Sequence, residues 1–167
     1  FRSWIPFLDI IVGPVDFVDG TQNHVIAVPG IGQVQTLICY EVIFAGRVVA
    51  LQPRPDLMVN VTNDAWFGAT IGPWQHLYQA QLRAVEEGIP LLRVANTGIS
   101  AAFDGFGRQL GSIPLGERAY LDIAIPSVLT APVFARFGNV GFFALCLGAF
   151  GVALGLYRRD KQKALKT

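Results

Sequence analysis

Lysine is missing from the first 160 residues of this 167-residue chain; Lys161, Lys163 and Lys166 all lie in the last seven. Charge of any kind is scarce. Asp, Glu, Lys and Arg make up 15% of the residues, against about 25% in ordinary soluble domains. With 52% hydrophobic residues and a mean hydropathy of +0.44, the chain leans toward a membrane protein. Before Arg158, eight arginines face eleven carboxylates. A slightly acidic body offers no basic face for nucleic acid, which is therefore excluded as a partner. Cysteine is reduced to Cys39 and Cys146, the second inside an apolar run, and such unlike surroundings argue against a disulfide. Two scattered histidines and two scattered cysteines give no metal-ligand spacing, so neither a metal nor another cofactor is expected. The sequence opens on Phe1 and holds no repeat or low-complexity stretch. The chain is expected to be a piece whose first part is missing.

What is present is a long uncharged run. Residues 137–157 carry no charge, and as a helix they rise about 31 Å, close to the thickness of a hydrocarbon core. Glycines, which weaken soluble helices, are common in spanning ones. The alternative is a buried core helix of a large soluble protein; the length, the abrupt charged end and the terminal position argue against it. Arg158, Arg159 and the three lysines follow at once, so the positive-inside rule places the tail in the cytoplasm and the rest on the other side. Three parts are expected: a domain over 1–130, a juxtamembrane link and membrane helix over 131–157, and a basic tail over 158–167. Within the link, Pro132 blocks helix continuation upstream.

Residues 1–20 are aromatic, contain proline and show no clean period, which suits a surface loop beside the membrane. Strands are expected at 24–28, 34–39, 57–62, 91–95, 99–103, 109–113 and 119–125. The turn Asp104-Gly105-Phe106-Gly107 makes the fifth and sixth a hairpin. Helices are expected at 42–51 and 73–88. In the second, Pro73 suits the first turn, Gly88 the end, and Trp74, Tyr78, Leu82 and Val85 share one face. Strands alternating with helices, then a run of strands, give an α/β layered domain.

Cys39 stands where an apolar strand gives way to a helix. There the amide groups of the helix assist a thiolate, and the N–H groups just after it can hold an oxyanion. By itself the position equally suits a small buried hydrophobe. Asn63 and Asp64, ending an apolar strand before Trp66 and Phe67, suit a pocket rim, and equally an Asx-turn. Glu86 and Glu87 are candidate general bases, although carboxylates at a helix end more often face water or pair with Arg83 or Arg93. His76 reads as a packing or helix-surface residue.

Together these segments resemble the nitrilase superfamily and, within it, the apolipoprotein N-acyltransferases. The matching stretches are Ile38-Cys39-Tyr40-Glu41, Val59-Asn60-Val61-Thr62-Asn63-Asp64-Ala65-Trp66-Phe67-Gly68, Gly72-Pro73-Trp74-Gln75-His76, Arg83-Ala84-Val85-Glu86-Glu87-Gly88 and Arg93-Val94-Ala95-Asn96-Thr97-Gly98-Ile99-Ser100. The cysteine stretch alone indicates the superfamily, whereas the Asn-Asp-Ala-Trp-Phe-Gly and Gly-Pro-Trp-Gln-His stretches point to the acyltransferase branch.

The resemblance implies an αββα sandwich on a multi-helix membrane domain, of which this chain is a partial sandwich followed by one transmembrane helix. It implies a Glu-Lys-Cys triad with Cys39 as nucleophile. It gives Tyr40 and Glu41 supporting roles and places Asn63, Asp64 and Trp66 in the active-site surroundings. It implies no cofactor, and partners that are lipids: a phospholipid acyl donor and a diacylglyceryl apolipoprotein acceptor, met at the bacterial inner membrane on its periplasmic side. The triad Lys and Glu would precede the cysteine. No lysine does, so the chain departs from the pattern there, and alone it is expected to be inactive. Two other readings stay open: a membrane-tethered amidase with water as acceptor, and a non-catalytic module that binds lipid or lipoprotein.

Overall fold

The computed structural model describes residues 25–46, 48–49 and 53–164. Within them six strands form one sheet in sequence order: β1 (Val25–Val28), β2 (Gly32–Ile38), β3 (Leu57–Asn63), β4 (Leu91–Asn96), β5 (Ser100–Phe103) and β6 (Gln109–Ile113). The pairs β2–β3 and β3–β4 are parallel and the outer pairs antiparallel. Parallel neighbours need a crossover, and between β3 and β4 it contains helix α1 (Gly72–Glu87). The chain is thus α/β, one six-stranded sheet with a helical layer packed on one face. His24 and residues 1–20 lie outside the described residues.

The sheet is two-faced because side chains alternate along each strand. Leu37, Met58, Leu91, Ala101 and Phe103 are buried on one face and join Leu77, Ala80 and Ala84 of α1 in the core. Ala80 and Ala84 are fully buried, so small side chains let the helix lie close to the strands. Trp74, Tyr78, Leu82 and Val85 do share one face, but it is the outward one. The helix ends at Gly88, whose left-handed φ of 65° suits a residue without Cβ. On the second face of the sheet Ile38, Val61 and Val94 are exposed.

Three expectations are corrected. The helix over 42–51 is instead a 3₁₀ turn, Cys39–Ile43, closing at Phe44. Gly46, at φ 68°, cannot continue a right-handed helix, and residues 47 and 50–52 lie outside the described residues. The strand over 119–125 is extended but pairs with no other strand among the described residues. Residues 116–125 cross the second face over β4–β6 instead, and Leu121 occupies the space that a side chain at Gly111 would need. The hairpin after β5 forms as expected. Its turn is held by Asp104, whose carboxylate accepts from the Phe106 and Arg108 N–H groups at 2.9 Å and from Arg108 Nε at 2.6 Å. Burial alone raises the Asp104 pKa, but these donors outweigh it and hold the carboxyl below its usual range.

The third correction concerns the link. It holds a short helix, α2 (Val133–Phe137), which Pro132 caps and Gly138 terminates at φ 53°, so a break separates it from the apolar helix. The long helix α3 (Val140–Ala164) therefore starts three residues later than expected. Its Val140–Arg158 portion has a mean hydropathy of 2.1 and no buried share, making it long and apolar enough to cross a membrane. The link is tied to the domain: Leu129 N–H donates to the Gly88 carbonyl at 2.9 Å, and Arg54 donates to the carbonyls of Leu129 and Glu87.

Candidate active site

Strand β2 delivers Cys39 to the edge of the core, where the backbone turns sharply. Cys39 has φ 52°, a left-handed conformation uncommon for a residue with a Cβ. Two neighbours hold it there. The Glu41 carboxylate accepts the Ile38 N–H at 2.7 Å. From β3, Asn60 Nδ2 donates to the carbonyls of Leu37 and Cys39 at 3.1 and 3.2 Å. Cys39 is half-buried and unpaired, whereas Cys146 is exposed on α3.

Beneath the cysteine lies a group of buried polar side chains. Asn60 and Thr62 project from β3 on the same side as Met58, toward α1, and Arg93 stands beside Asn60 in register on β4. Arg93 NH1 donates to Asn60 Oδ1 at 2.5 Å and NH2 to Asp64 Oδ2 at 2.7 Å. Both charged side chains are fully buried. Burial pushes the guanidinium below its ordinary range and the Asp64 carboxylate opposes that shift. From α1, His76 Nδ1 lies 2.9 Å from Asp64 Oδ1. The same nitrogen lies 3.1 Å from Arg93 NH2, so the ring stands between the carboxylate and the guanidinium. Thr62 Oγ1 is 3.1 Å from Asp64 Oδ1 and 3.4 Å from the sulfur of Cys39. Gly98 closes the group: a Cβ there would stand 2.4 Å from Asp64 Oδ2.

The expected site residues divide accordingly. Cys39, Tyr40 and Glu41 sit together on the 3₁₀ turn. Tyr40 and Phe67 flank the His76 ring at 5.5 and 5.8 Å, and a groove beside the cysteine is lined by Tyr40, Ile43, Phe67, Gln75 and His76. Asn63 forms the Asx contact, accepting the Ala65 N–H at 3.2 Å, and Trp66 is 85% exposed. Asp64 is 2% exposed, so it belongs to the buried group and not to a rim. Glu86 is paired with Arg83 at 2.9 Å, as expected for a helix-end carboxylate. Burial raises the pKa of both Glu86 and Glu87. They stand at the far end of α1 from His76, about 15 Å along the axis. Sequence reasoning missed Thr62 and the grouping of Asn60, Asp64, His76 and Arg93. The available signal was polar residues at every second position of an otherwise apolar strand.

No cluster that could hold a metal occurs among the described residues. A cavity of about 690 Å³ lies between β4–β6 and residues 116–125 and does not include Cys39.

Comparison with known proteins gives concordant matches. The carbon-nitrogen hydrolase family model matches residues 5–133. Proteins named apolipoprotein N-acyltransferase are similar over most of the chain. The one from Bradyrhizobium diazoefficiens is 46% identical over 86% of this chain and 26% of its own length. That from Rickettsia bellii is 40% identical over 90% and 30%. That from Haemophilus ducreyi is 36% identical over 98% and 34%. The chain thus spans about a quarter to a third of these curated relatives. Among solved structures, an amidase from Nesterenkonia sp. AN1 aligns at a TM-score of 0.45 and 28% identity, covering 59% of this chain and 40% of the amidase.

Proposed function

Since this chain belongs to the carbon-nitrogen hydrolase family, we propose that it carries the nucleophile of a membrane-held N-acyltransferase acting on lipoproteins. The observation that carries this reading is Cys39 itself, an unpaired thiol on a left-handed turn at a strand end, with backbone and sulfur both held by β3. The sulfur attacks the ester carbonyl of a phospholipid, the C–O bond breaks, and the lysophospholipid leaves with a proton. The chain is then held as a thioester. The α-amino group of a diacylglyceryl-modified N-terminal cysteine attacks next, the C–S bond breaks, the thiol re-forms and the product is an amide. Splitting the transfer in this way replaces one hard step by two easier ones. In this reading Tyr40 and Trp66, both exposed, are offered to substrate, while Glu41, Asn63 and Asp64 hold backbone and buried groups around the turn. The general base and the lysine that stabilises the oxyanion come from the part of the relatives' length that this chain does not span.

The test is a transfer assay on the full-length enzyme in detergent, with labelled phospholipid and a diacylated lipopeptide. Mass spectrometry is expected to find the lipopeptide heavier by one acyl group, with label retained. Release of free fatty acid with no acylated lipopeptide would instead identify an amidase-like hydrolase, and no turnover at all would favour a binding module.

The same reading places α3 across the inner membrane, with the catalytic part in the periplasm and the basic tail in the cytoplasm. A reporter fused after Thr167 is expected to report a cytoplasmic position. A thiol-reactive probe site introduced at Phe106, which is exposed on the hairpin turn, is expected to react from outside the inner membrane. A tail reachable only from outside overturns the orientation.

A further inference from the structure

Thr62 has one hydroxyl hydrogen and two neighbours to give it to. Its Oγ1 lies 3.1 Å from Asp64 Oδ1 and 3.4 Å from Cys39 Sγ. A carboxylate oxygen can only accept, a thiol can donate or accept, and a thiolate can only accept. Two arrangements of that hydrogen matter here, one for each charge state of the sulfur. With a thiol, Cys39 donates to Thr62, which donates to Asp64. With a thiolate, the hydroxyl hydrogen points at the sulfur. Asp64 tolerates that turn because it keeps His76 Nδ1 on the same oxygen at 2.9 Å and Arg93 NH2 on the other at 2.7 Å.

We propose that Thr62 is a positioning residue for the nucleophile: its hydroxyl turns from Asp64 to the sulfur as Cys39 loses its proton, and so stabilises the attacking thiolate. The turn moves no heavy atom, and the proton of Cys39 itself leaves to the general base of the full-length enzyme. This deepens the proposed acyltransferase reading and rests on it only for the acyl-transfer measurement. The charged and titratable groups near the sulfur are Asp64, then Arg93 on β4, His76 on α1, and Tyr40 and Glu41 on the 3₁₀ turn. Of these only Asp64 touches the Thr62 hydroxyl, and it keeps His76 and Arg93 when that hydroxyl is removed.

The experiment compares Thr62→Val, which keeps the shape and removes the hydroxyl, with Thr62→Ser, which restores it, both in the full-length enzyme. The first readout is the pH dependence of alkylation of Cys39 by iodoacetamide, which needs no lipid. A hydrogen bond to a charged group is worth about 1.5–3 kcal/mol in general. Thr62→Val is therefore expected to shift the midpoint upward by about one to two pH units, and Thr62→Ser to bring it back. The second is acyl transfer, where kcat is expected to fall roughly 10- to 100-fold for Val, with KM for phospholipid unchanged, and to recover for Ser. A Val variant that melts like wild type and alkylates with an unshifted midpoint overturns the proposal, as does a Ser variant that fails to recover. A shifted midpoint without any acyl transfer in the wild type sustains it and removes the acyltransferase reading instead. Should the Val variant not fold, the infrared S–H band of Cys39, isolated by subtracting the Cys39→Ala spectrum, decides. A band at lower frequency than that of Cys146 is expected, and an unshifted band overturns the proposal.

Discussion

Replacing Cys39 by alanine in the full-length enzyme is expected to abolish the acyl-enzyme and to lower turnover by at least about 10⁴-fold, the scale on which removal of a nucleophile acts in covalent catalysis. The fold should tolerate the change. Alanine bears the same left-handed strain at φ 52° as cysteine, and the bonds holding this turn come from Asn60 and Glu41 to backbone atoms. Melting is therefore expected to match wild type, which separates lost chemistry from lost structure. Cys146→Ala is expected to keep activity within about twofold, because that thiol faces outward from an apolar helix and touches none of the buried group. Labelled phospholipid should mark the protein through a bond that hydroxylamine breaks. Labelling that persists after loss of Cys39 would falsify its assignment as nucleophile.

The second large effect is expected from Arg93. Its side chain is fully buried and joins two elements of the site, Asp64 through NH2 and Asn60 through NH1. Arg93→Met keeps the length and removes the charge, which leaves the Asp64 carboxylate without its ionic partner inside the core. Breaking one side of a buried ion pair costs about 3–5 kcal/mol. Asp64→Leu should cost a similar amount by stranding the guanidinium. The double variant is expected to lose much less than the sum of the two, because no charge remains uncompensated. Denaturant melts of the four proteins measure this directly. Losses that simply add would show that Asp64 and Arg93 act independently. The single Arg93 variant is also expected to lose most acyl transfer, since the Asn60 oxygen then loses its donor and only the Leu37 carbonyl is left to orient the amide against Cys39.

Much of this arrangement was legible from the chain, and what was not has a physical cause. Strand and helix periods located β2 to β6 and α1 because each is a local pattern. Gly88 and Pro73 marked the ends of α1 because cap chemistry is local too. The helix over 42–51 misled because its apolar residues allow a helix until Gly46, and the strand over 119–125 misled because an apolar extended segment can lie across a sheet as well as beside one. Residues of the buried group are separated by up to 54 positions, from Cys39 to Arg93, and only strand register brings them together. Asp64 illustrates the difficulty. An aspartate ending a strand before exposed aromatics looks solvated until Arg93 is seen to stand beside it. The match of residues 5–133 to the family model agrees with the superfamily that the cysteine stretch indicated.

The seam at Gly88 limits how far the catalytic part can stand from its anchor. Leu129 is fastened to the end of α1, and α3 begins at Val140 with the five residues of α2 coiled between them. Even with every other residue pulled straight, the tether from Leu129 to Val140 reaches no more than about 30 Å. With α3 seated in a bilayer, that leash is too short for the domain to roam. It keeps the domain within about one membrane thickness of the lipid surface, where the lipid substrates of the proposed reaction are held.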